Sequence, residues 1–241
     1  YKSYDWSTWV SATETKNYML NDPLLDWLNM YGGKLNLVSD KKKNTTYDFN
    51  EYIMNKGKEF EKAIFKNLQN RFKQSIVNVA NSYEGYSTYK LHQTIEYMKQ
   101  GIPFICHGVL HNKENNTYGI PDLIVRSDYL NEMTQCDNIT DDESSVGCLF
   151  NANWHYRIVE IKYTTLKTNN NYIYNSGNIP CYKSQAIIYN EALSVIQKYN
   201  PNSAYLFGRK IESNHKKMIK EKIETTDFMK ELLEKKRGKL S

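Results

Sequence analysis

The chain has 241 residues, 40% of them hydrophobic and 24% charged, enough for one large domain or two small ones with an ordinary apolar core. No stretch approaches the ~18 consecutive apolar residues of a membrane-spanning helix, so we expect no membrane partner. The net charge is +5, and residues 209–241 carry the whole excess, with eleven Lys and Arg against six Asp and Glu. The basic tail, residues 211–241, suits either a polyanionic partner or a solvated helix.

The cysteines are widely spaced and form no CxxC pair. They are Cys106, Cys136, Cys148 and Cys181. This spacing argues against a structural zinc site or an iron–sulfur cluster. Free thiols in a reducing intracellular compartment, cytoplasm or nucleus, are the simpler interpretation, and a Cys136–Cys148 disulfide within one loop is the alternative. The chain starts at Tyr1 without a signal-peptide pattern, so we expect a processed form or a piece of a larger protein.

Two helices are predicted in the first part of the chain. Residues 11–20 are expected to form a helix capped by Ser11 or Thr13, and Pro23 is favoured at the start of a second one. We assign residues 1–49 to an N-terminal helical segment that packs on the rest of the chain.

A long helix is predicted at residues 50–72. Its apolar stripe consists of Ile64, Phe65, Leu68 and Phe72. Glu61 lies on the same stripe, one turn before Phe65, so its carboxylate should point inward. It is either a buried Glu paired with a neighbouring Lys or Arg, or a carboxylate aimed at a metal site.

A short strand at 75–79 and a helix at 89–100 lead to a strand predicted at 104–111. His107 and His111 would lie on one face of that strand. A zinc site would need a third ligand. Since the sequence indicates no such ligand, a structural role is favoured for both histidines.

Two further β-rich runs, residues 118–126 and 156–163, each carry charges among apolar residues. The charged residues are Asp122 in the first run and Glu160 with Lys162 in the second. A charge on a buried strand must be paired or bound to a metal. We therefore expect these three side chains to converge on one face of a sheet.

Because side chains alternate along a strand, Glu160 and Lys162 should share one face while Val159 and Ile161 take the other. Carboxylate ligands suit Mg²⁺ or Mn²⁺ better than zinc, and the backbone carbonyl of Ile161 is a further candidate ligand. A lysine beside such an ion can orient or deprotonate a water, or stabilise charge on a phosphorane. Phosphodiester hydrolysis needs this combination.

The remaining segments are predicted as follows. Residues 127–155 form an acidic insertion, a loop or hairpin with six Asp and Glu and no Lys or Arg. Residues 167–179 are polar and mobile, 181–199 form a helix, and 203–209 form a last strand. A basic amphipathic helix is expected at 214–237.

The sequence Pro121-Asp122, followed by Glu160-Ile161-Lys162, has the form PD…ExK and resembles the PD-(D/E)xK nuclease superfamily. Four more runs resemble the first-helix motif, the TxxxMxxGxPxI run, the QxxxY helix and the strand after it in the RecB-like and lambda-exonuclease-like branch. These runs are 57–61, 94–105, 185–189 and 203–209, respectively. The resemblance implies an α/β fold with a restriction-endonuclease-like αβββαβ core at 50–210. A central mixed sheet would be flanked by helices, with extra N-terminal helices and a C-terminal helix.

The resemblance also implies roles for the site residues. Asp122 and Glu160 would ligate Mg²⁺ or Mn²⁺, Glu61 would bind or position a second metal or its waters, and Lys162 would be the catalytic lysine. Some RecB-like members carry His at the position of Glu61, so the Glu favours the lambda-exonuclease-like variant.

Gln185 and Tyr189 would hold the DNA strand or steady the catalytic lysine. The implied activity is a metal-dependent deoxyribonuclease, with DNA favoured over RNA and an exonuclease over an endonuclease. Two alternatives remain open: a non-catalytic nucleic-acid-binding module on the same fold, and the nuclease domain of a larger DNA-processing protein. Tyr172, Tyr174 and Tyr182, near the QxxxY helix, either stack on unpaired bases or serve as packing residues.

Overall fold

The computed structural model of the protein describes residues 4–35, 48–169, 172–213 and 222–224. Within these ranges the chain has a mixed α/β fold, with two mixed sheets flanked by helices. Most of the basic tail lies outside the described residues. The helix predicted at 214–237 is wrong in one part, because Lys222–Glu224 is a strand.

The N-terminal segment contains less helix than predicted. It forms a 3-10 turn at Trp6–Thr8, strand β1 (Val10–Ser11), helix α1 (Lys16–Met19), helix α2 (Pro23–Trp27) and a π-helical turn at Leu28–Gly32. The Ser11 N–H donates to Glu14 Oε2 at 2.7 Å, and the Glu14 N–H donates to Ser11 Oγ at 3.2 Å. This reciprocal capping pattern produced the helix prediction at 11–20, but here it closes a turn between β1 and α1.

Helix α3 (Phe49–Phe72) confirms the long helix predicted at 50–72. The Asp48 carboxylate caps it by accepting from the N–H groups of Asn50 and Glu51 at 2.9 Å and 3.3 Å. The predicted stripe is also confirmed, because Ile64, Phe65, Leu68 and Phe72 all pack into one apolar cluster.

The middle of the chain holds shorter strands than predicted. They are β2 (Ile76–Asn78), then, after helix α4 (Thr88–Lys99), β3 (Phe104–Cys106), β4 (Leu110–Asn112), β5 (Thr117–Gly119) and β6 (Leu123–Arg126). The strand predicted at 104–111 breaks at His107, where φ is +50°, so His107 and His111 do not share a strand face. The strand predicted at 118–126 breaks around Pro121, which has no N–H for a ladder.

Where the structure describes it, the second half of the chain forms two short helices, followed by three long elements and two short strands. They are α5 (Ser127–Thr134), α6 (Asp141–Ser144), β7 (Tyr156–Asn169), β8 (Tyr172–Ile173), α7 (Ile179–Gln197), β9 (Ser203–Ser213) and β10 (Lys222–Glu224). The acidic insertion is therefore partly helical. The stretch 167–179, predicted to be mobile, contains the end of β7 and all of β8.

The large sheet has the strand order β10-β9-β7-β6-β3-β2, with β8 paired to the end of β7. Strand β6 is antiparallel to both of its neighbours, β3 and β7. Strand β2 is parallel to β3, and β9 is parallel to β7. The β7–β9 register shifts just after Lys162. A separate small sheet has the order β1-β5-β4.

Alternate residues of the large sheet face two apolar layers. Towards α3 lie Phe104, Cys106, Leu123, Val125 and Val159. Towards α7 and α4 lie Ile105, Ile124, Ile158 and Leu206. The sheet is thus covered on both faces, and the two layers are where most of the apolar burial occurs.

A buried arginine anchors the acidic insertion to the sheet. Arg157 on β7 has no exposed surface, and its Nη2 donates to Glu143 Oε1 at 2.9 Å. Its Nε donates to His155 Nε2 at 2.7 Å, and its Nη1 donates to Ser203 Oγ at 2.7 Å. Arg157 is the second residue of β7, so these contacts attach the insertion to the start of that strand.

All four cysteines are free thiols, so the Cys136–Cys148 disulfide is not formed. Burial raises the pKa of Cys106 to about 12, which keeps this thiol protonated. In the part of the chain that the structure describes, no helix has the length and apolarity to span a membrane.

Candidate functional site

Asp122 lies where the chain passes from the small sheet to the large one, immediately before β6. Its Oδ2 accepts from the backbone N–H of Ile161 at 2.7 Å and lies 3.4 Å from Lys162 Nζ. The Ile161 N–H thus fixes the carboxylate against the neighbouring strand. A metal bond from the Ile161 carbonyl stays a prediction.

Glu160 and Lys162 lie on one face of β7, as the alternation predicts. Lys162 Nζ donates to Glu160 Oε1 at 2.6 Å, and Glu160 Oε2 accepts from the Asp122 N–H at 3.4 Å. The ammonium group also lies 5.6 Å from the ring centroid of Tyr182 on α7. Glu160 is only 2% exposed, so the ion pair is shielded from water on the carboxylate side.

Burial disfavours the charged form of each of these three groups. Burial, followed by the charge of Asp122, raises the pKa of Glu160 to about 7 against the opposing effect of Lys162. Burial likewise raises the pKa of Asp122. Burial alone would lower the pKa of Lys162, but the two carboxylates outweigh it and raise that pKa. Two buried carboxylates therefore share one ammonium, which leaves an excess of negative charge.

Glu61 reaches the site from α3. Its Oε1 lies 2.5 Å from His107 Nε2, so its partner is a histidine and not the Lys or Arg considered from sequence. Suitable ligand atoms of Glu61, His107 and Asp122 all lie within 4.8 Å of one another. Two of the predicted metal ligands are therefore brought together. Glu160 stands beside them, hydrogen-bonded to the Asp122 backbone.

His107, for which the sequence favoured a structural role, also lies at this site. Its N–H donates to the Asp122 carbonyl at 3.2 Å, which ties its backbone to the site. Its Nδ1 lies 2.9 Å from Asn78 Oδ1 at the end of β2. Burial would lower the pKa of His107, but the hydrogen bond and charge of Glu61 outweigh it and raise that pKa. The available sequence signal was Gly108, which marks a break in the strand.

The donor set fits a divalent cation. Carboxylates of Asp122 and Glu61 offer hard oxygen ligands, and the excess negative charge around Glu160 favours a cation. The three ligand side chains are 18% to 29% exposed, so an ion can reach them from solvent.

Gln185 and Tyr189 lie on α7 beneath the N-terminal segment. Gln185 Nε2 donates to Thr13 Oγ1 at 3.3 Å. Tyr189 is 3% exposed, and a Cβ added to Gly119 would lie 2.3 Å from its ring. Burial raises the pKa of Tyr189 well above its usual value. Tyr189 lies close enough to Glu160 and Asp122 for their charges to raise its pKa, whereas Gln185 contacts the N-terminal segment. A role of either side chain in holding DNA or steadying Lys162 stays a prediction.

The three tyrosines named from the sequence lie in different environments. Tyr182 packs near Lys162, and Tyr174 is about half exposed. The Tyr172 side chain lies outside the described residues. Base stacking by this group stays a prediction.

The comparisons with known proteins returned no match: no protein-family model, no curated protein and no solved structure resembles the chain to a significant degree. The function proposed for the site therefore rests on its own residues and their geometry.

Proposed function

We propose that the protein is a divalent-metal-dependent nuclease that hydrolyses phosphodiester bonds in DNA on a restriction-endonuclease-like core. The observation that carries this proposal is the convergence of Asp122, Glu160 and Lys162 at adjacent strands, within 3.4 Å of one another through Lys162 Nζ. The chain order of α3, β3, β6, β7, α7 and β9 supports the proposal of an αβββαβ core. The motifs in the sequence support the same class of enzyme.

Asp122 and Glu61 would hold the metal, and Glu160, whose Oε2 accepts from the Asp122 N–H at 3.4 Å, would add negative charge beside it. A bound Mg²⁺ or Mn²⁺ would polarise a phosphoryl oxygen and lower the pKa of a bound water. The buried carboxylates bring negative charge to this point at a cost in desolvation, which a dication would offset.

Lys162 would act on the phosphate. Its ammonium is held by Glu160 at 2.6 Å, and without a bound ion the two carboxylates raise its pKa against the effect of burial. A protonated amine donates hydrogen bonds, so Lys162 is better suited to stabilising charge on the scissile phosphate than to removing a proton. Glu160 thereby positions the ammonium as well as contributing charge.

Gln185 and Tyr189 would position the site from the α7 side. Tyr189 is buried, and the charges of Glu160 and Asp122 raise its pKa further. It would therefore act as a neutral packing and hydrogen-bonding residue beneath the acids. An intracellular reducing compartment is proposed with this function, since all four cysteines are free thiols.

Cleavage of end-labelled and internally labelled DNA tests the proposal. Wild type should degrade DNA in the presence of Mg²⁺ or Mn²⁺ and should be inactive in EDTA. Lys162→Ala and the better packed Lys162→Met should each lose about 10²-fold or more in rate. Lys99→Ala, which removes an exposed lysine of a surface ion pair on α4, is the matched control and should retain activity.

Equal activity in wild type and both Lys162 variants would overturn the assignment. Tight DNA binding without cleavage under any divalent ion would favour a binding module instead. Release of mononucleotides would indicate the exonuclease that we favour, while nicking of closed circles would indicate an endonuclease.

A further inference from the structure

The two ring nitrogens of His107 face different partners. Nδ1 lies 2.9 Å from Asn78 Oδ1, outside the cluster of charged residues. Nε2 faces Glu61 Oε1 at 2.5 Å, and a ring nitrogen of His107 lies within 4.8 Å of ligand atoms of Glu61 and Asp122. Metal-bound histidines commonly donate one N–H to an oxygen and use the other nitrogen as the ligand. Asn78 is placed to be that oxygen, which directs Nε2 into the site.

The backbone holds this ring in place. His107 adopts a left-handed φ of +50°, and its N–H donates to the Asp122 carbonyl. A Cβ at the following Gly108 would lie 2.7 Å from Ile124 Cδ1 and 3.0 Å from Thr94 Cγ2, so a larger residue there would require these side chains to shift. The imidazole is thus fixed relative to the Asp122 backbone by a local structure that a side chain at 108 would disturb.

An imidazole ligand changes which ion a carboxylate site prefers. Mg²⁺ favours oxygen ligands and gives up its waters reluctantly, whereas transition metals accept imidazole nitrogen readily. Mn²⁺ accepts both carboxylate oxygen and imidazole. A site with Glu61, Asp122 and one imidazole therefore differs from an all-oxygen site.

We propose that His107 is a metal ligand that makes the site select Mn²⁺ over Mg²⁺. This inference rests on the proposed function, because it concerns the same metal site. It adds a nitrogen donor that the sequence motifs did not indicate, supplied by a segment between β3 and β4 and oriented by Asn78.

Pulsed electron paramagnetic resonance of bound Mn²⁺ tests the ligand directly. The protein is labelled with ¹⁵N-histidine, loaded with Mn²⁺ alone, and examined for hyperfine coupling between ¹⁵N and the ion. Coupling is expected in wild type and in His92→Gln, which changes an exposed histidine on α4. It should be absent in His107→Gln. Circular dichroism melting shows whether each variant is folded.

Metal titration tests the selectivity. Loss of the imidazole should raise the Kd for Mn²⁺ about 10- to 100-fold, while the Kd for Mg²⁺ should change less than about threefold. His92→Gln should leave both constants unchanged. Asp122→Asn should weaken the binding of both ions, since it removes a negative charge that either ion needs.

The outcomes separate this inference from the proposed function. Bound Mn²⁺ without ¹⁵N coupling in wild type would overturn it, as would an unchanged Mn²⁺ to Mg²⁺ preference in folded His107→Gln. Mn²⁺ bound through His107 in a protein that cleaves no DNA would support the ligand assignment and refute the nuclease. DNA cleavage that is equally fast with both ions, without ¹⁵N coupling, would support the nuclease and refute the ligand assignment.

Discussion

The buried imidazole of His155 should make the protein less stable in mild acid. Its Nε2 accepts from Arg157 Nε at 2.7 Å, so the ring proton lies on Nδ1, which donates to the Val146 carbonyl at 2.8 Å. The neutral ring thus satisfies both neighbours, and a second proton would face the guanidinium. Burial, followed by the charge of Arg157, lowers the pKa of His155 from 6.5 to about 4.

The sign of the effect follows from the bound protons. Between pH 6.5 and 4 the unfolded chain takes up a proton at His155 that the folded protein does not, so the free energy of unfolding falls as the pH falls. The full shift corresponds to about 3 kcal/mol. About 2 kcal/mol of it should be lost by pH ~5. Above pH 6.5 His155 adds no pH dependence.

Urea unfolding at pH ~7.5 and pH ~5 measures this loss. In His155→Gln the amide still offers an acceptor and a donor but does not titrate, so the variant should lose about 2 kcal/mol less than wild type between the two pH values. His92→Gln should follow wild type. His111, whose pKa burial also lowers, contributes equally to all three proteins. Equal pH dependence in wild type and His155→Gln would refute the reasoning.

Three further substitutions test the packing around the site, the insertion and helix α3. Glu143→Gln should cost about 3 kcal/mol in urea unfolding, because it leaves the fully buried guanidinium of Arg157 without its carboxylate; a loss below about 1 kcal/mol would mean that the pair behaves as a surface ion pair. Gly119→Ala should cost about 1–3 kcal/mol, since the new Cβ would lie 2.3 Å from the Tyr189 ring. Gly57 lies within α3, and a Cβ added to it would have open space around it, so Gly57→Ala should instead stabilise the protein by about 0.5–1 kcal/mol. Thermal unfolding shifts of the same sign in both glycine variants would contradict this account.

Side-chain periodicity predicted the parts of the fold that depend on burial. The alternation along residues 156–163 placed Glu160 and Lys162 on one face, and the 2.6 Å contact between them confirms it. The stripe of α3 is confirmed for the same reason: apolar residues at helical spacing must be buried together. These patterns are local, so a single sequence contains them.

The strand breaks could not be predicted from propensity. Residues 104–111 are apolar enough for one strand, but His107 takes a positive φ and sends the chain to a second sheet. The strand predicted at 118–126 also breaks, around Pro121. Here the proline was a signal that the sequence offered. The pairing of β1 with β5 depends on tertiary register, which no local pattern at Ser11 encodes.

The candidate site was predicted in composition but not in arrangement. Asp122, Glu160 and Lys162 meet as expected, because Asp122 directly precedes β6 and the other two lie on β7, the strand paired with it. His107 was assigned a structural role because the sequence offered no third ligand near it. Its partner Glu61 lies 46 residues away on α3, and only the packing of that helix on the sheet brings the two together.

This assembly from distant segments has a consequence for the folding kinetics. The contacts between Glu61 and His107 and between Asp122 and Lys162 span 46 and 40 residues, so no single hairpin or helix can form them early. A cation held there would stabilise the native state, but not a transition state in which the four segments are still apart. It would slow unfolding and leave the folding rate unchanged. The lifetime of the folded chain, and with it the resistance to proteolysis, would then depend on the supply of metal.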